Sequence, residues 1–427
     1  MAATTSSSND FRVIVVGGGI SGLVTALAAS RFGVCVDVYE RNSSIIDLGA
    51  GVAIGPNAAA LLEKLDVGEI LDSISSRPVD KVNLVYRHHD TAEIGFTGQL
   101  NTPKRSFYTH RADLVQTLAR CLPSDQIHLG KSLQTISQDS DSVTAFFTDG
   151  TSATASAIIG ADGIRSKSCQ TRCSPARSPR LLQTWQRVDR AREKHIVAYP
   201  IQNGKTLCVG AIIPAFDDQQ WGESWKKRDD EFDMERFMAS IKEFHQDPKT
   251  MFQLGHSTTV SGLYEREPLP SWRNGRVVLI GDAAHAMLPH QGQGGSQAVE
   301  DAYVMGVLLG AASKSETPGQ NITKWPDVFQ QIRKPRAEAI AVGSRAMGRA
   351  FDDLQLSEEG VEFLRKCYSW IFITEALDGC EQQVKQIFGS DSIEWQNFQE
   401  IQTMRPCREW TEDISTWGSP PSQYMNL

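Results

Sequence analysis

Three acids in this chain each stand just past an apolar run, Glu40, Asp162 and Asp282, the last two among small residues. A carboxylate in such a place accepts hydrogen bonds from sugar or polyol hydroxyls, while neighbouring glycines let a phosphate or a flat ring approach the backbone. The first case is the fullest. Val13 to Val16 reads as a buried strand that stops at Gly17-Gly18-Gly19-Ile20-Ser21-Gly22, where a small-residue helix begins. In this GxGxxG turn Gly17 permits the bend, Gly19 opens the backbone to a phosphate, and Gly22 lets the helix lie close on the strand. The helix N-terminus then offers free N–H groups to a pyrophosphate. A second apolar run, Val34 to Tyr39, ends in Glu40, about twenty residues beyond the glycines, where a dinucleotide unit places its ribose acceptor. A bare GxGxxG is a common turn; strand, helix, strand and acid together specify a dinucleotide site.

The third acid lies in a comparable setting. Gly275 to Asp282 reads as a strand ending at the carboxylate, followed by Ala283-Ala284-His285-Ala286-Met287-Leu288-Pro289-His290-Gln291-Gly292-Gln293-Gly294-Gly295 and a helix from near Ser296. His285 and His290 lack carboxylate or cysteine companions at ligand spacing, so no metal is expected. Asp162 closes the strand of Ser142 to Gly163, after a hairpin expected across Asp149-Gly150.

Further elements must position these exits. Leu48 to Leu65 reads as a small-residue turn and a helix entered through Gly55-Pro56-Asn57, serving either a nucleotide or packing on a sheet. Strands are expected within Val79 to Thr97 and across His195 to Pro214 around an Asn203-Gly204 turn, and helices within Phe216 to Pro248. Arg111 opens a helix and is read equally as a ligand of an anionic cofactor or as a solvated arginine. Arg172 to Lys194 shows no clear strand or helix. Arg333, Lys334, Arg336, Arg345 and Arg349 read as a solvated helix face.

Composition bounds the rest. At 427 residues the chain has room for two or three domains, and 40% hydrophobic with 22% charged residues is ordinary for a globular protein. A net charge of −8 disfavours nucleic acid and anionic membranes as partners. Eight scattered cysteines read as reduced thiols, implying a cytoplasmic setting. No apolar run approaches the roughly 18 residues of a membrane span. The Ser/Thr-rich residues 1–10 read as a flexible tail.

Taken in order, GGGISG, GADG and GDAAHAMLPHQGQGG resemble the group A FAD-dependent monooxygenases, the aromatic-ring hydroxylases, and within them the fungal salicylate-hydroxylase-like branch. The resemblance spans Phe11 to about Asp352. It implies an α/β fold: a doubly wound FAD-binding domain of the para-hydroxybenzoate-hydroxylase type, an inserted mostly β substrate domain and a helical C-terminus. The boundaries expected are 11–78, 104–170 and 272–350 for the FAD domain, 79–103 and 171–271 for the substrate domain, and 351–427 for the helical end. Carried over by position, Gly17, Gly19 and Gly22 hold the FAD pyrophosphate and Glu40 the adenosine ribose. Ala53 contributes backbone near FAD, and Arg111 matches a FAD-contacting arginine. Asp162 serves both FAD and NAD(P)H, Asp282 the ribityl or pyrophosphate region, and Gly295 the helix start under the isoalloxazine.

The resemblance further implies noncovalent FAD, NAD(P)H as a transient co-substrate, and O₂. A flavin C4a-hydroperoxide would deliver oxygen to a phenolic or polyketide-type ring, in secondary metabolism. Prenyl-chain epoxidation is the alternative chemistry. The sequence also departs from its relatives. Cys169 stands where they usually keep an arginine, and the strand bearing Ala-Tyr-Arg, whose arginine holds the substrate phenolate, is expected to be missing from a segment shortened near 169–194. A flavin-binding protein with impaired hydroxylation is therefore a further reading, with Arg187 or Arg190 as substitutes for the lost cation. Tyr199 remains as the candidate for binding or deprotonating a phenol, or as a structural strand tyrosine.

Overall fold

The computed structural model describes residues 11–45, 51–76, 82–99, 106–172, 185–187, 194–214, 226–227, 232–255, 258–313, 324–353, 362, 366–368 and 370–372. The N-terminal tail, Arg190 and most of 351–427 lie outside them.

The first half of the chain runs β1 (Arg12–Val16), α1 (Ile20–Arg31), β2 (Cys35–Tyr39), β3 (Gly51–Ile54), α2 (Pro56–Lys64), α3 (Gly68–Ile74), β4 (Val82–Arg87), β5 (Ile94–Gln99), β6 (Phe107–His110), α4 (Arg111–Arg120), β7 (Ile127–His128), β8 (Leu133–Gln138), β9 (Val143–Phe147), β10 (Ser152–Ala155), β11 (Ala157–Gly160) and α5 (Lys167–Arg172). Beyond it come β12 (Trp185–Arg187), β13 (His195–Ile201), β14 (Thr206–Ile212), β15 (Lys226–Lys227), α6 (Met234–Ser240), α7 (Gln246–Gln253), β16 (Val260–Ser261), β17 (Tyr264–Arg266), β18 (Arg273–Asn274), β19 (Val277–Leu279), α8 (Asp282–His285), α9 (Gly294–Ser313) and α10 (Trp325–Asp353).

The central sheet has the order β18-β19-β11-β1-β2-β7. Strands β19, β11, β1, β2 and β7 are mutually parallel, and only β18 runs against its neighbour. The chain leaves β1 on one side to form β2 and returns on the other to form β11, so the winding reverses beside β1. A ligand crevice is expected at the carboxyl edge of such a switch point.

Burial on both faces explains the unbroken apolar runs. Val13 and Val15 face a core with Leu23, Leu27, Val304 and Leu308 of α1 and α9, whereas Ile14 and Val16 join Val143, Ala145 and Phe147 of the three-stranded sheet β8-β9-β10. The hairpin across Asp149-Gly150 is present, as are the β4–β5 pair and the β13–β14 pair, in which Asn203 and Gly204 both have positive φ.

One expectation is corrected. The segment Arg172 to Lys194, read as having no clear strand, holds β12, paired antiparallel with β17, Trp185 opposite Arg266 and Arg187 opposite Tyr264. Three residues are too few for alternation to be read, and the partner lies far along the chain. Helices α6 and α7 occupy the stretch expected to be helical, although Lys226–Lys227 within it is a strand paired with β16.

Candidate functional site

Because β1, β2, β11 and β19 are parallel neighbours, the residues that follow them meet at one edge of the sheet: Gly17, Glu40, Ala161-Asp162 and Gly281-Asp282. Gly17 has φ +114°, and a Cβ there would lie 2.4 Å from Ala161 O; its N–H donates to Tyr39 O at 2.8 Å. A Cβ on Gly22 would stand 1.9 Å from Gly17 O, so α1 approaches the turn as only glycine allows. Gly19, the N-cap, is different: its backbone is extended and, among the described residues, a Cβ would meet nothing within 4 Å. Among those residues the space in front of Gly19 is open, and the first helical bond runs from Leu23 N–H back to Gly19 O. The preceding amides have no acceptor within the helix and suit a pyrophosphate.

Glu40 is 9% exposed. Its Oε2 accepts from Gly18 N–H at 2.7 Å and its Oε1 from Asn42 N–H at 2.8 Å, so the carboxylate is fixed against the glycine turn with lone pairs remaining for hydroxyl donors. Asp162 is held by its own turn, accepting from Ser166 Oγ at 2.6 Å and from the N–H groups of Lys167 and Ser168 at 2.7 and 2.9 Å. It orders the entry to α5. Asp282 opens α8 with an exposed side chain. A Cβ on Gly281 would come 2.7 Å from Ser21 Oγ, so the third exit lies against the first turn of α1.

The opposite end of the crevice is made by β3 and the start of α9. Gly55 N–H donates to Ser296 Oγ at 2.9 Å, and a Cβ on Gly295 would lie 3.1 Å from Ile54 Cδ1. Ala53 pairs with Tyr108 across β3 and β6, and Arg111, half-buried, follows β6 directly as the first residue of α4.

Tyr199 also reaches this strand. A Cβ on Gly51 would lie 2.7 Å from its ring, and Gly51 N–H donates to Sγ of Cys208, its cross-strand partner, at 3.1 Å. The Tyr199 ring lies 5.6 Å from that of Tyr108, and the hydroxyls of Tyr86 and Tyr368 meet at 3.0 Å. Burial raises all four phenols, Tyr86 to about 12, so they stay neutral at working pH. Only Tyr199 of the four is legible in the sequence.

Behind the edge lies an ionic network that sequence reasoning misses. Arg333 is fully buried; its Nη1 donates to Glu300 Oε2 at 2.6 Å and its Nε to Asp301 Oδ1 at 2.8 Å. Arg336 donates to Glu300 through Nε and Nη2, and Asn57 Nδ2 reaches the same carboxylate at 2.6 Å. Asp301 Oδ2 accepts from Gly281 N–H at 2.8 Å and faces His285 Nε2 at 2.6 Å, so the network holds the third exit from behind. Burial alone would raise the Glu300 carboxyl, but the Arg336 and Arg333 guanidiniums outweigh it and hold it at about 2.

The solvated face expected for these arginines is thus corrected. Arg333 and Arg336 turn inward to compensate acids buried in α9, and Arg345 pairs with Glu265 at 2.8 Å. The signal available was the Glu300-Asp301 pair inside an otherwise apolar helix, which demands cations. His285 and His290 do not meet: the former faces Asp301, the latter approaches His195 Nε2 at 3.3 Å through Nδ1. Arg266 donates to Ile164 O at 2.9 Å and to Cys169 Sγ at 3.5 Å, bringing a guanidinium from β17 to the Cys169 side chain.

The crevice, its glycine-opened floor and its acids define a dinucleotide-binding flavoprotein edge, and the FAD binding domain family matches residues 10–343. The chain belongs to this family, as an FAD-dependent monooxygenase of the aromatic-hydroxylase group. It is 30% identical to a 3-hydroxybenzoate 6-hydroxylase of Klebsiella oxytoca over 80% of this chain and 88% of that one. Identity to an FAD-dependent monooxygenase of a Nectria species is 31%, over 77% and 82% respectively. A solved salicylate hydroxylase in complex with its substrate superposes with a TM-score of 0.72 at 26% identity, covering 88% of this chain and 98% of that one. Among the described residues no helix is long and apolar enough to cross a membrane.

Proposed function

We propose that this chain hydroxylates a small phenolic or polyketide-type aromatic compound in the cytoplasm, consuming NAD(P)H and O₂, as a step of secondary metabolism. The observation that carries this reading is the meeting of four strand exits at one sheet edge, with Tyr108 of β6 and Tyr199 of β13 packed at β3 at its far end. FAD, when bound, supplies a ring that NAD(P)H reduces and on which O₂ is activated.

The chain's own residues supply placement. Gly19 and the first amides of α1 receive the pyrophosphate, with Gly17 and Gly22 shaping the turn, and Glu40 accepts from the adenosine ribose. Asp282 accepts from ribityl hydroxyls, Arg111 and Ala53 border the cofactor, Gly295 underlies the ring, and Asp162 orders the second exit. The open space at Gly19 and the fixed acceptor at Glu40 fit such a ligand. Residues 11–78, 104–170 and 272–350 would form the FAD domain, with 79–103 and 171–271 as the substrate domain.

Tyr199, with Tyr108 beside it, would orient the substrate ring and hydrogen-bond its hydroxyl as a neutral phenol. Packing of β13 on β3 would exclude water from the reacting position. The test is incubation of the holoprotein with NAD(P)H, ¹⁸O₂ and a panel of phenols, followed by mass spectrometry. One ¹⁸O atom per product molecule is expected. NAD(P)H consumption that yields only hydrogen peroxide with every phenol would instead favour a flavoprotein impaired in hydroxylation.

A further inference from the structure

The β13–β14 pair carries Tyr199, and among the described residues no third strand pairs with it, so hydrogen bonds within its sheet do not fix where it sits. A two-stranded ribbon takes its position from contacts made elsewhere. Its tip makes three of them. Gln202 Nε2 donates to Asp113 Oδ2 at 2.9 Å, Asn203 Nδ2 to Ser73 O at 3.0 Å, and Gly204 N–H to Ser76 Oγ at 2.8 Å.

The tip is bent to make these bonds. Gln202, Asn203 and Gly204 have φ of +52°, +57° and +78°, three consecutive residues in the left-handed region. Asparagine and glycine adopt that backbone readily, whereas glutamine does so at a cost, which directs attention to what its side chain does. The Gln202 amide is fixed at both ends: Oε1 accepts from Thr206 Oγ1 at 2.8 Å, which leaves Nε2 aimed at the Asp113 carboxylate. A bond to a charged acceptor is of the stronger kind.

The bonds end beside the site. Asp113 lies in the first turn of α4, which Arg111 opens, so one rigid turn joins it to the arginine that borders the cofactor in the proposed reading. Ser76 is bonded to Tyr108 through the backbone, donating to Tyr108 O at 2.7 Å and accepting from Tyr108 N–H at 3.1 Å. Tyr199 stands just before the tip on β13, with its ring 5.6 Å from that of Tyr108. One tip therefore ties both phenols to the start of α4.

We propose that the β13–β14 tip is a clasp and that Gln202 and Asp113 are positioning residues for the hydroxylation, an inference that rests on the function proposed above. Neither residue touches the reacting atoms. Gln202 holds β13 to the first turn of α4, so a ring seated at Tyr199 keeps a constant distance from the cofactor edge that Arg111 borders. Oxygen transfer needs reacting atoms about 3–3.5 Å apart, so slack in the clasp shows as lost product per NAD(P)H and not as lost flavin.

Two measurements on the holoprotein test this. In ¹⁹F spectra of protein labelled with 3-fluorotyrosine, with the Tyr108 and Tyr199 lines assigned from their Phe variants, Asp113→Ala should shift both lines. Asp113→Asn, whose side-chain oxygen still accepts, should leave them near the parent's. Unchanged lines in Asp113→Ala overturn the proposal. With a phenol that the parent hydroxylates, Gln202→Gly should raise KM several-fold and divert NAD(P)H to hydrogen peroxide, while FAD affinity keeps the parent's value. Glycine relieves the left-handed backbone, so the melting midpoint should not fall. A KM and coupling like the parent's in this variant would reduce the tip to a structural turn and overturn the proposal. A parent that hydroxylates no phenol overturns the proposed function instead, and the ¹⁹F lines then decide the clasp by themselves.

Discussion

The edge of the parallel sheet and the network behind it do one job by opposite means. The edge is made largely by omission: no side chain at Gly17, Gly19 or Gly22, and one acceptor, Glu40, held by backbone amides. The network is made chiefly of side chains, Asn57 from α2, His285 from α8, Glu300 and Asp301 from α9, Arg333 and Arg336 from α10. Binding a large anionic cofactor requires open backbone, and open backbone cannot stiffen itself. The stiffness comes from buried charges whose partners lie tens to hundreds of positions away.

The largest expected effect falls on the network. Arg333→Leu leaves Glu300 and Asp301 buried with a partner lost, which typically costs about 3–5 kcal/mol. Thermal unfolding should show a fall of several degrees or loss of soluble protein, and a melting curve like that of the parent would mean that the network contributes little. On the edge, Gly22→Ala forces a Cβ against a backbone oxygen and should cost about 1–3 kcal/mol even without FAD. Gly19→Ala meets open space, so the apoprotein should melt within about 1 kcal/mol of the parent while FAD affinity falls at least several-fold. Flavin fluorescence titration beside calorimetry separates the two glycines. If both variants behaved alike, the distinction between shaping and receiving residues would fail.

A smaller effect is expected at Glu40. Glu40→Ala removes a charged acceptor worth about 1.5–3 kcal/mol, lowering FAD affinity roughly ten- to a hundredfold. Equilibrium dialysis measures it, and unchanged affinity would take Glu40 out of the site.

The smallest effect is in pH. Burial holds His195 and His290 at about 4, below the ordinary 6.5. Their folded values are depressed, so this contribution is complete above pH 6.5 and is lost as pH falls towards 4. Glu300, held at about 2 against an ordinary 4.5, contributes fully above pH 4.5 and less as pH falls towards 2. Melting midpoints should therefore drop in two overlapping stages on acidification, and His290→Gln should weaken the first, leaving the part carried by His195, while the second is unchanged.

What was legible follows from sequence distance and from what each residue must avoid. The glycine turn, Glu40 and the strand at Gly275 to Asp282 are local patterns in which a single conformation satisfies the residue types, so their place at the sheet edge was readable. The β13–β14 turn was readable because Asn203 and Gly204 tolerate positive φ. The Tyr86–Tyr368 contact joins residues 282 positions apart, and tyrosine does not announce whether its hydroxyl meets water or another phenol. Arginines at helical spacing look solvated until the acids buried in α9 are set against them. Strand β12 exists by its pairing with β17, which no local pattern carries.

The most direct test of the central claim is a crystal structure of the holoprotein. The account predicts one FAD extended along the carboxyl edge of the sheet, its pyrophosphate on the amides beside Gly19, its ribose hydroxyls on Glu40 and its ring between Gly295 and β3. FAD bound elsewhere, or a Glu40 carboxylate still bonded to Gly18 and Asn42 with no ribose within reach, would contradict it.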